Sequence, residues 1–269
     1  MRRLFIASTA ALILGGQPGH ACSGPGATHI DAIYPSGTDV PENQLRLYLY
    51  FTAPMAEADI LPHIRLTLAD GTVVEDPFLS NRFDLWSPDR TRLTLLFDPS
   101  RVKTGLDAHE ELGRALEAGQ SYVFTVDAGA VDASGCTLSA AFSHEFTAGP
   151  SDIDPPDPSN WVLDVPAAGT TDPISVVLGS THDHLSMAFR IRARNAVGEI
   201  VAGRIDLAQA ETVWRFFPNA PWSEEDHEIS IGQELEDLAG NRPGQLFDQP
   251  VGADMPAPIL NLPFRPDPN

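Results

Sequence analysis

Much of what catalysis, cofactor binding and membrane insertion require is scarce or missing in this chain. Its 269 residues include two cysteines, Cys22 and Cys136, too few for a disulfide-stapled scaffold or a cysteine-rich metal site. No apolar run beyond Gly15 approaches the roughly 18 residues that a membrane-spanning helix needs. Cationic side chains are outnumbered, 17 Lys and Arg against 37 Asp and Glu, for a formal charge of −20. An excess of that size repels nucleic acid and anionic lipid surfaces and suits a solvated acidic exterior. The chain contains no G-x-S-x-G elbow, H-E-x-x-H pair, phosphate loop or G-x-G-x-x-G fingerprint. Glu110-Glu111 and Glu224-Glu225-Asp226 place carboxylates side by side, as glycosidic chemistry requires. They lie in loop-like sequence with only Trp222 as an aromatic neighbour, and read as solvated loops.

What is present is a repeat. Leu49–Val74 reappears as Val176–Val201 at a constant offset of 127, so that Phe51 meets Leu178 and Ile64 meets Ile191. Leu93–Asp98 then meets Val213–Pro218 at offset 120, and Thr125–Gly135 meets Ser230–Gly240 at offset 105. A unit copied with altered loop lengths is a duplicated module. Period-two runs bounded by turn residues mark its strands, among them Leu45–Thr52, Ile64–Ala69, Arg92–Phe97, Tyr122–Asp127 and Ala141–Thr147. The second copy offers Trp161–Val165, Ile174–Leu178, Phe189–Arg194, Glu199–Leu207, Thr212–Phe217 and Glu228–Gly232. The fold class this predicts is all-β, two tandem immunoglobulin-like (Ig-like) β-sandwiches. Helical patterns are confined to Ala56–Leu61, Ala108–Ala118 and Asp183–Ala188. The expected core is Phe51, Met55, Ile64, Leu66, Leu95, Phe97, Tyr122 and Phe124 in the first copy, and Leu178, Ile191, Trp214, Phe216 and Ile231 in the second.

The expected organisation is an export signal at 1–21, a first domain at 22–149 with a loop insertion at about 100–120, a Pro/Asp-rich linker at 150–158, a second domain at 159–248, and a Pro-rich extended tail at 249–269. The signal reading rests on Arg2, Arg3, the apolar Leu4–Gly15 and the small residues Gly19 and Ala21 before Cys22. Its removal takes the formal charge from −20 to −22 and places the product outside the cytoplasm, periplasmic or at the cell surface. There Cys22 and Cys136 have three fates: a disulfide with each other, lipidation of Cys22 as the first residue of a lipoprotein, or free thiols. Lipidation of Cys22 is the one membrane attachment the sequence offers.

Each copy opens with proline and then Gly-Thr (Pro35 to Thr38, Pro166 to Thr170), and each closes on an aspartate-led turn, Asp132-Ala-Ser-Gly135 or Asp237-Leu-Ala-Gly-Asn241. With Phe51-Thr-Ala-Pro-Met55, these segments resemble the bacterial Ig-like domains of the S-layer (SbsA-like) type. The resemblance spans most of residues 29–248 and is weaker in the second copy, where Thr181-His182 replaces Pro-Met. It implies cell-surface or periplasmic modules that space, adhere or scaffold, often without a known ligand; the expected partner is an unidentified protein or glycan at the cell envelope, and no cofactor is expected. A more distant similarity is to the copper-carrying CopC-like Ig folds. Here Cys136 stands where their turn carries histidine, and the expected cleavage removes His20.

The sharpest candidate site is His182-Asp183-His184, two imidazoles and a carboxylate able to ligate copper or zinc. Its alternative is a polar loop in which Asp183 or Thr181 caps a short helix. Asp152, Asp154 and Asp157 in the linker are hard oxygen donors that would suit calcium, or an ordinary soluble linker. The expected function is therefore a non-enzymatic, exported interaction module. A periplasmic copper- or calcium-binding protein is a second possibility, and an accessory module of carbohydrate metabolism, reading glycans through Trp86 and Trp222, is a third.

Overall fold

The computed structural model describes residues 20–21, 27–57, 60–79, 85–103, 107–248 and 257–268. Most of the expected signal, together with Cys22, lies outside them.

In the first domain, β1 (His20–Ala21), β2 (Ile30–Tyr34), β3 (Asp39–Pro41), β4 (Arg46–Phe51), β5 (Ile64–Leu68), β6 (Arg92–Leu96), β7 (Ser121–Val126), β8 (Cys136–Thr137) and β9 (Phe142–Gly149) follow one another. Two sheets face each other, β2-β4-β6 and β3-β9-β7-β5. Taken in chain order, these are the A-B-E and C-F-G strands of an Ig sandwich, with β3 running parallel along β9. Among the described residues, the position of a D strand carries single bridges, Phe78 to Phe97 just past β6 and Trp86 to Leu93. The expected insertion forms α1 (Pro99–Val102) and α2 (Asp107–Leu112). Here Asp98 caps α1 through its carboxylate and the Ser100 N–H.

The second domain holds β10 (Val162–Asp164), β11 (Ile174–Val177), α3 (His184–Arg190), β12 (Ile191–Arg194), β13 (Gly203–Ala208), β14 (Val213–Pro218), β15 (His227–Ile231) and β16 (Asn261–Phe264). Its sheets are β10-β11-β14-β13 and β12-β15-β16, the A-B-E-D and C-F-G order of an Ig sandwich. The repeat aligns strand with strand: β4 with β11, β5 with β12, β6 with β14 and β7 with β15.

Each sandwich encloses its own apolar cluster, and all thirteen expected core residues are buried. Period two explains why. In β4, Leu47, Leu49 and Phe51 point inward, where burial of a side chain of this size contributes about 1.5–3 kcal/mol. Their neighbours Arg46, Tyr48 and Tyr50 project from the opposite face.

Three expectations need correction. The segment expected to be a tail supplies β16, which pairs antiparallel with β15 and places Phe264 in the second core. Asn261-Leu-Pro-Phe264 is too short and too proline-marked to show alternation, and Pro263 is tolerated because β16 is an edge strand. Residues 189–190 end a helix instead of opening a strand, because Asp183 caps α3 and the helix runs until β12 begins at Ile191. The first copy has Ala56 at that aligned position, and among the described residues there it forms a 3-10 turn, Leu61–His63, around Pro62. The linker is not a bare spacer: Asp157 caps a 3-10 turn at Pro158–Asn160, and Asp152 is held on both sides, as described below.

Candidate functional site

The polar residues singled out in the sequence meet at the junction between the two sandwiches. Tyr34, Arg46, Tyr48 and Tyr50, on the outer face of β2 and β4, receive the start of α3. Asp183 is nearly inaccessible, and both its oxygens are engaged. Oδ1 accepts the Ser186 N–H at 2.8 Å, the helix cap, and Oδ2 accepts the Tyr48 hydroxyl at 2.7 Å. Arg46 Nη1 stands 3.4 Å from the same Oδ2, and its Nη2 is 2.6 Å from Glu236. Glu236 also receives Arg242 at 2.6 Å. Burial raises the Asp183 carboxyl above its ordinary range, against the pull of Arg46 and Tyr48. Burial lowers the Arg46 guanidinium, but Asp183 and Glu236 outweigh it and hold the cation above its usual range.

The histidines on either side point to different places. His184 lies flat on Tyr34, with ring centroids 3.5 Å apart and planes at 20°, and meets the edge of Tyr50. His182 lies within the second domain, edge-on to Trp161, with Nδ1 2.9 Å from the Ser180 carbonyl oxygen. Burial lowers both imidazoles to about 4, so both are neutral at pH 7. His182, Asp183 and His184 therefore do not converge: one fills a core, one caps a helix and anchors a cation, and one stacks on an aromatic ring. Among the described residues no group of three or more His, Cys, Asp or Glu side chains is placed to hold a metal ion.

The second domain also reaches into the first. The Leu45 N–H donates to the Leu238 carbonyl at 2.9 Å, and Leu238 itself belongs to the first domain's core. Phe247 packs against that core, with Lys103 Nζ 4.3 Å above its ring. Glu211, almost fully buried, accepts the Ser36 N–H and hydroxyl, both at 2.7 Å, and burial raises its carboxyl. In the linker, the Asp152 carbonyl accepts Asn43 Nδ2 at 2.9 Å and Asn241 Nδ2 at 3.2 Å, one from each domain. Of the carboxylates that suggested calcium, Asp152 accepts the Asp154 N–H and Asp157 accepts the Ser159 N–H. Each serves its own turn.

The remaining candidates disperse. Glu110 and Glu111 lie exposed on α2, and Glu224, Glu225 and Asp226 lie exposed before β15. Trp222 is core, not a sugar platform: it is buried against Phe216 and Phe264, and its Nε1 donates to the Asp172 carbonyl. Trp86 is half-buried beside Phe51, with Arg90 above its ring. Cys136 is disulfide-bonded and no described cysteine is free; Cys22 lies outside the described residues. β8, which carries Cys136, pairs in parallel with β1, whose His20 and Ala21 stand just before the expected cleavage.

Arg46, Tyr34, Tyr48, Glu211 and Glu236 were not singled out from the sequence. A signal was nevertheless present in Arg46-Leu-Tyr-Leu-Tyr-Phe51: aromatics at alternate positions opposite an aliphatic face mark a strand covered on both sides.

No family model and no curated protein matches the chain. Solved structures do. A segment of native alpha-2-macroglobulin from Escherichia coli spanning domains MG0-NIE-MG1 is 11% identical over 89% of this chain and 71% of that one, with a TM-score of 0.30. A mutant alpha-2-macroglobulin of Salmonella is 14% identical over 76% of this chain at a TM-score of 0.30, and the match spans 12% of that chain. The N-terminal Ig1-2 module of the Drosophila receptor protein tyrosine phosphatase DLAR is 11% identical over 78% of this chain and 93% of that one, at a TM-score of 0.25. At these scores the likenesses carry no argument; the Ig-like architecture rests on strand order and sheet pairing. Among the described residues no helix is long and apolar enough to cross a membrane.

Proposed function

We propose that the chain is an exported, non-enzymatic interaction module in which the two Ig-like sandwiches work as one rigid body, and that its partner is a protein or glycan of the cell envelope. The observation that carries this reading is the junction. Domain interfaces within a chain are commonly polar and permit relative motion. This one buries an Asp–Tyr–Arg–Glu network and sends Leu238 of one domain into the core of the other. Its polar side chains are engaged with one another rather than presented to a reacting group, and a rigid pair of sandwiches suits spacing and display. Cys22 is the chain's one other cysteine and is taken as the partner of Cys136, in keeping with an oxidising compartment outside the cytoplasm.

Small-angle scattering and NMR relaxation on the full chain test the rigid body. The expectation is one correlation time for both domains and a linker resistant to protease at 150–158. Two independently tumbling domains would overturn it. Fractionation of the native host tests export, and intact mass tests the bridge. Loss of two hydrogens supports pairing, whereas a diacylglycerol adduct on Cys22 rules it out.

A further inference from the structure

Between the sandwiches a cleft of about 560 Å³ opens onto the junction network. That lies within the range of about 300–1,000 Å³ typical of small-ligand sites, which favour domain interfaces. Arg46, Tyr48, Asp183 and Glu236 of the network line it, together with Phe189 and Arg190 of α3. We infer that this cleft binds a short, uncharged oligosaccharide. The inference rests on the glycan arm of the function proposed above and narrows it to one site and one chemistry.

Charge is the first reason. The cleft's three guanidiniums, Arg46, Arg190 and Arg242, each face a carboxylate of Asp183, Glu234 or Glu236, so neither sign is in surplus. An anion or a cation entering here meets repulsion as well as attraction, and the acidic exterior at −20 further disfavours anions. A sugar hydroxyl is donor and acceptor at once, and suits a surface where donors and acceptors alternate without net charge. Capacity for such bonds remains: Arg190 and Glu234 stand 3.6 Å apart, each about half exposed, beyond hydrogen-bonding distance of one another.

Shape is the second reason. Phe189 is 61% exposed although its helix neighbour Met187 is fully buried. One exposed ring on a surface needs no explanation. A ring in the wall of a polar cleft gives the C–H face of a pyranose an apolar surface to lie on, while the hydroxyls reach the guanidiniums and carboxylates. Leu185 extends that apolar wall.

The test uses the full chain on an array of neutral and acidic oligosaccharides, followed by calorimetry on the binders. Neutral oligosaccharides are expected to bind. Phe189→Ala should weaken them about tenfold or more, and Phe189→Trp should retain them. Because Phe189 is exposed, neither change should alter melting, which is checked alongside. Binding confined to acidic glycans, binding unaffected by Phe189→Ala, or no neutral oligosaccharide bound would each overturn the inference. Scattering and relaxation judge the rigid body separately, so the two readings fail by different measurements.

Discussion

Asp132 and Asp237 head the same turn 105 residues apart, and their surroundings set them on different courses. Each N–H donates to a carbonyl four residues on, at 2.8 Å (Cys136) and 3.1 Å (Asn241). Each Oδ1 accepts the N–H groups two and four residues on: Ser134 and Cys136 in one copy, Ala239 and Asn241 in the other. Each turn carries a left-handed glycine, Gly135 at φ 82° and Gly240 at φ 79°. Met55 bridges to the first turn and His182 to the second, and both are buried. Burial raises the Asp132 carboxyl, but the Thr28 hydroxyl and the turn's own N–H groups outweigh it and leave the group below its usual range. In Asp237 burial prevails, helped by the nearby Asp152, and the carboxyl is pushed up to about 7. One backbone motif closes a hairpin in the first copy and serves as a docking element in the second.

The largest expected effects test whether two cores make one cooperative unit. Phe97→Ala in the first domain and Trp214→Ala in the second should each cost about 3–5 kcal/mol, since both rings are almost wholly buried. Because Leu238 ties the cores together, calorimetry should show a single transition that moves in both variants. Two transitions, only one of which shifts, would mean the domains melt separately.

Asp183→Ala comes next. It removes the cap of α3, leaves the buried Tyr48 hydroxyl without its acceptor and takes one of Arg46's two carboxylates, for a loss of about 3 kcal/mol. The aligned Ala56→Ser in the first copy lies outside any such network and should stay within about 0.5 kcal/mol. Urea unfolding of the pair decides; equal effects would show that the network contributes nothing.

The pH dependence should separate the copies further. His182 has a pKa of about 4, below its ordinary 6.5, so the unfolded chain takes up the proton first. Its contribution is whole above pH 6.5 and is lost as pH falls toward 4. Asp237, at about 7 against an ordinary 3.8, has the opposite sign: its contribution is whole below pH 3.8 and is lost as pH rises toward 7. From the size of the shifts these are roughly 3 kcal/mol for His182 and roughly 4 kcal/mol for Asp237, and between pH 4 and 7 they oppose. His184, Asp183 and Glu211 also titrate abnormally and stay in both variants, so the test is the change of slope from the parent chain: Asp237→Asn should make stability rise more steeply with pH across that window, and His182→Met should make it rise less or fall. Melting temperatures at pH 4 to 7 give the slopes, and a change in the same direction in both variants would contradict the assignment.

The smallest contrast concerns the two glycines. Alanine at Gly135 meets open space and carries only the left-handed φ penalty, about 1 kcal/mol. Alanine at Gly240 carries that penalty and also collides with the Leu45 side chain. Gly240→Ala should therefore be the more destabilising by roughly 1 kcal/mol, and equal losses in thermal unfolding would show that Leu45 yields freely.

The strands were legible because burial on one face leaves a period of two, and duplication preserved that period under altered loops. Asp183 was legible as a helix cap because capping is local. The junction was not, because it is made by residues whose partners lie far along the chain. Tyr48 meets Asp183 across 135 positions and Ser36 meets Glu211 across 175. β16 was missed for a related reason: its four residues include a proline, and only pairing with β15 makes them a strand. His182 carried the strongest metal signal in the sequence and became a core residue, since an imidazole able to ligate is also one that can be desolvated and left neutral.

Leu238 has a consequence for the order of events at the ribosome. The first domain's strands are complete once Gly149 has been made, but its apolar cluster still lacks Leu238, 89 residues on. At about 5–20 residues per second, that separation is roughly 4–18 s of synthesis. Throughout that interval the nascent first domain has an unfilled core and a bare tyrosine face. The part made first therefore cannot close its core until much of the second domain has been made.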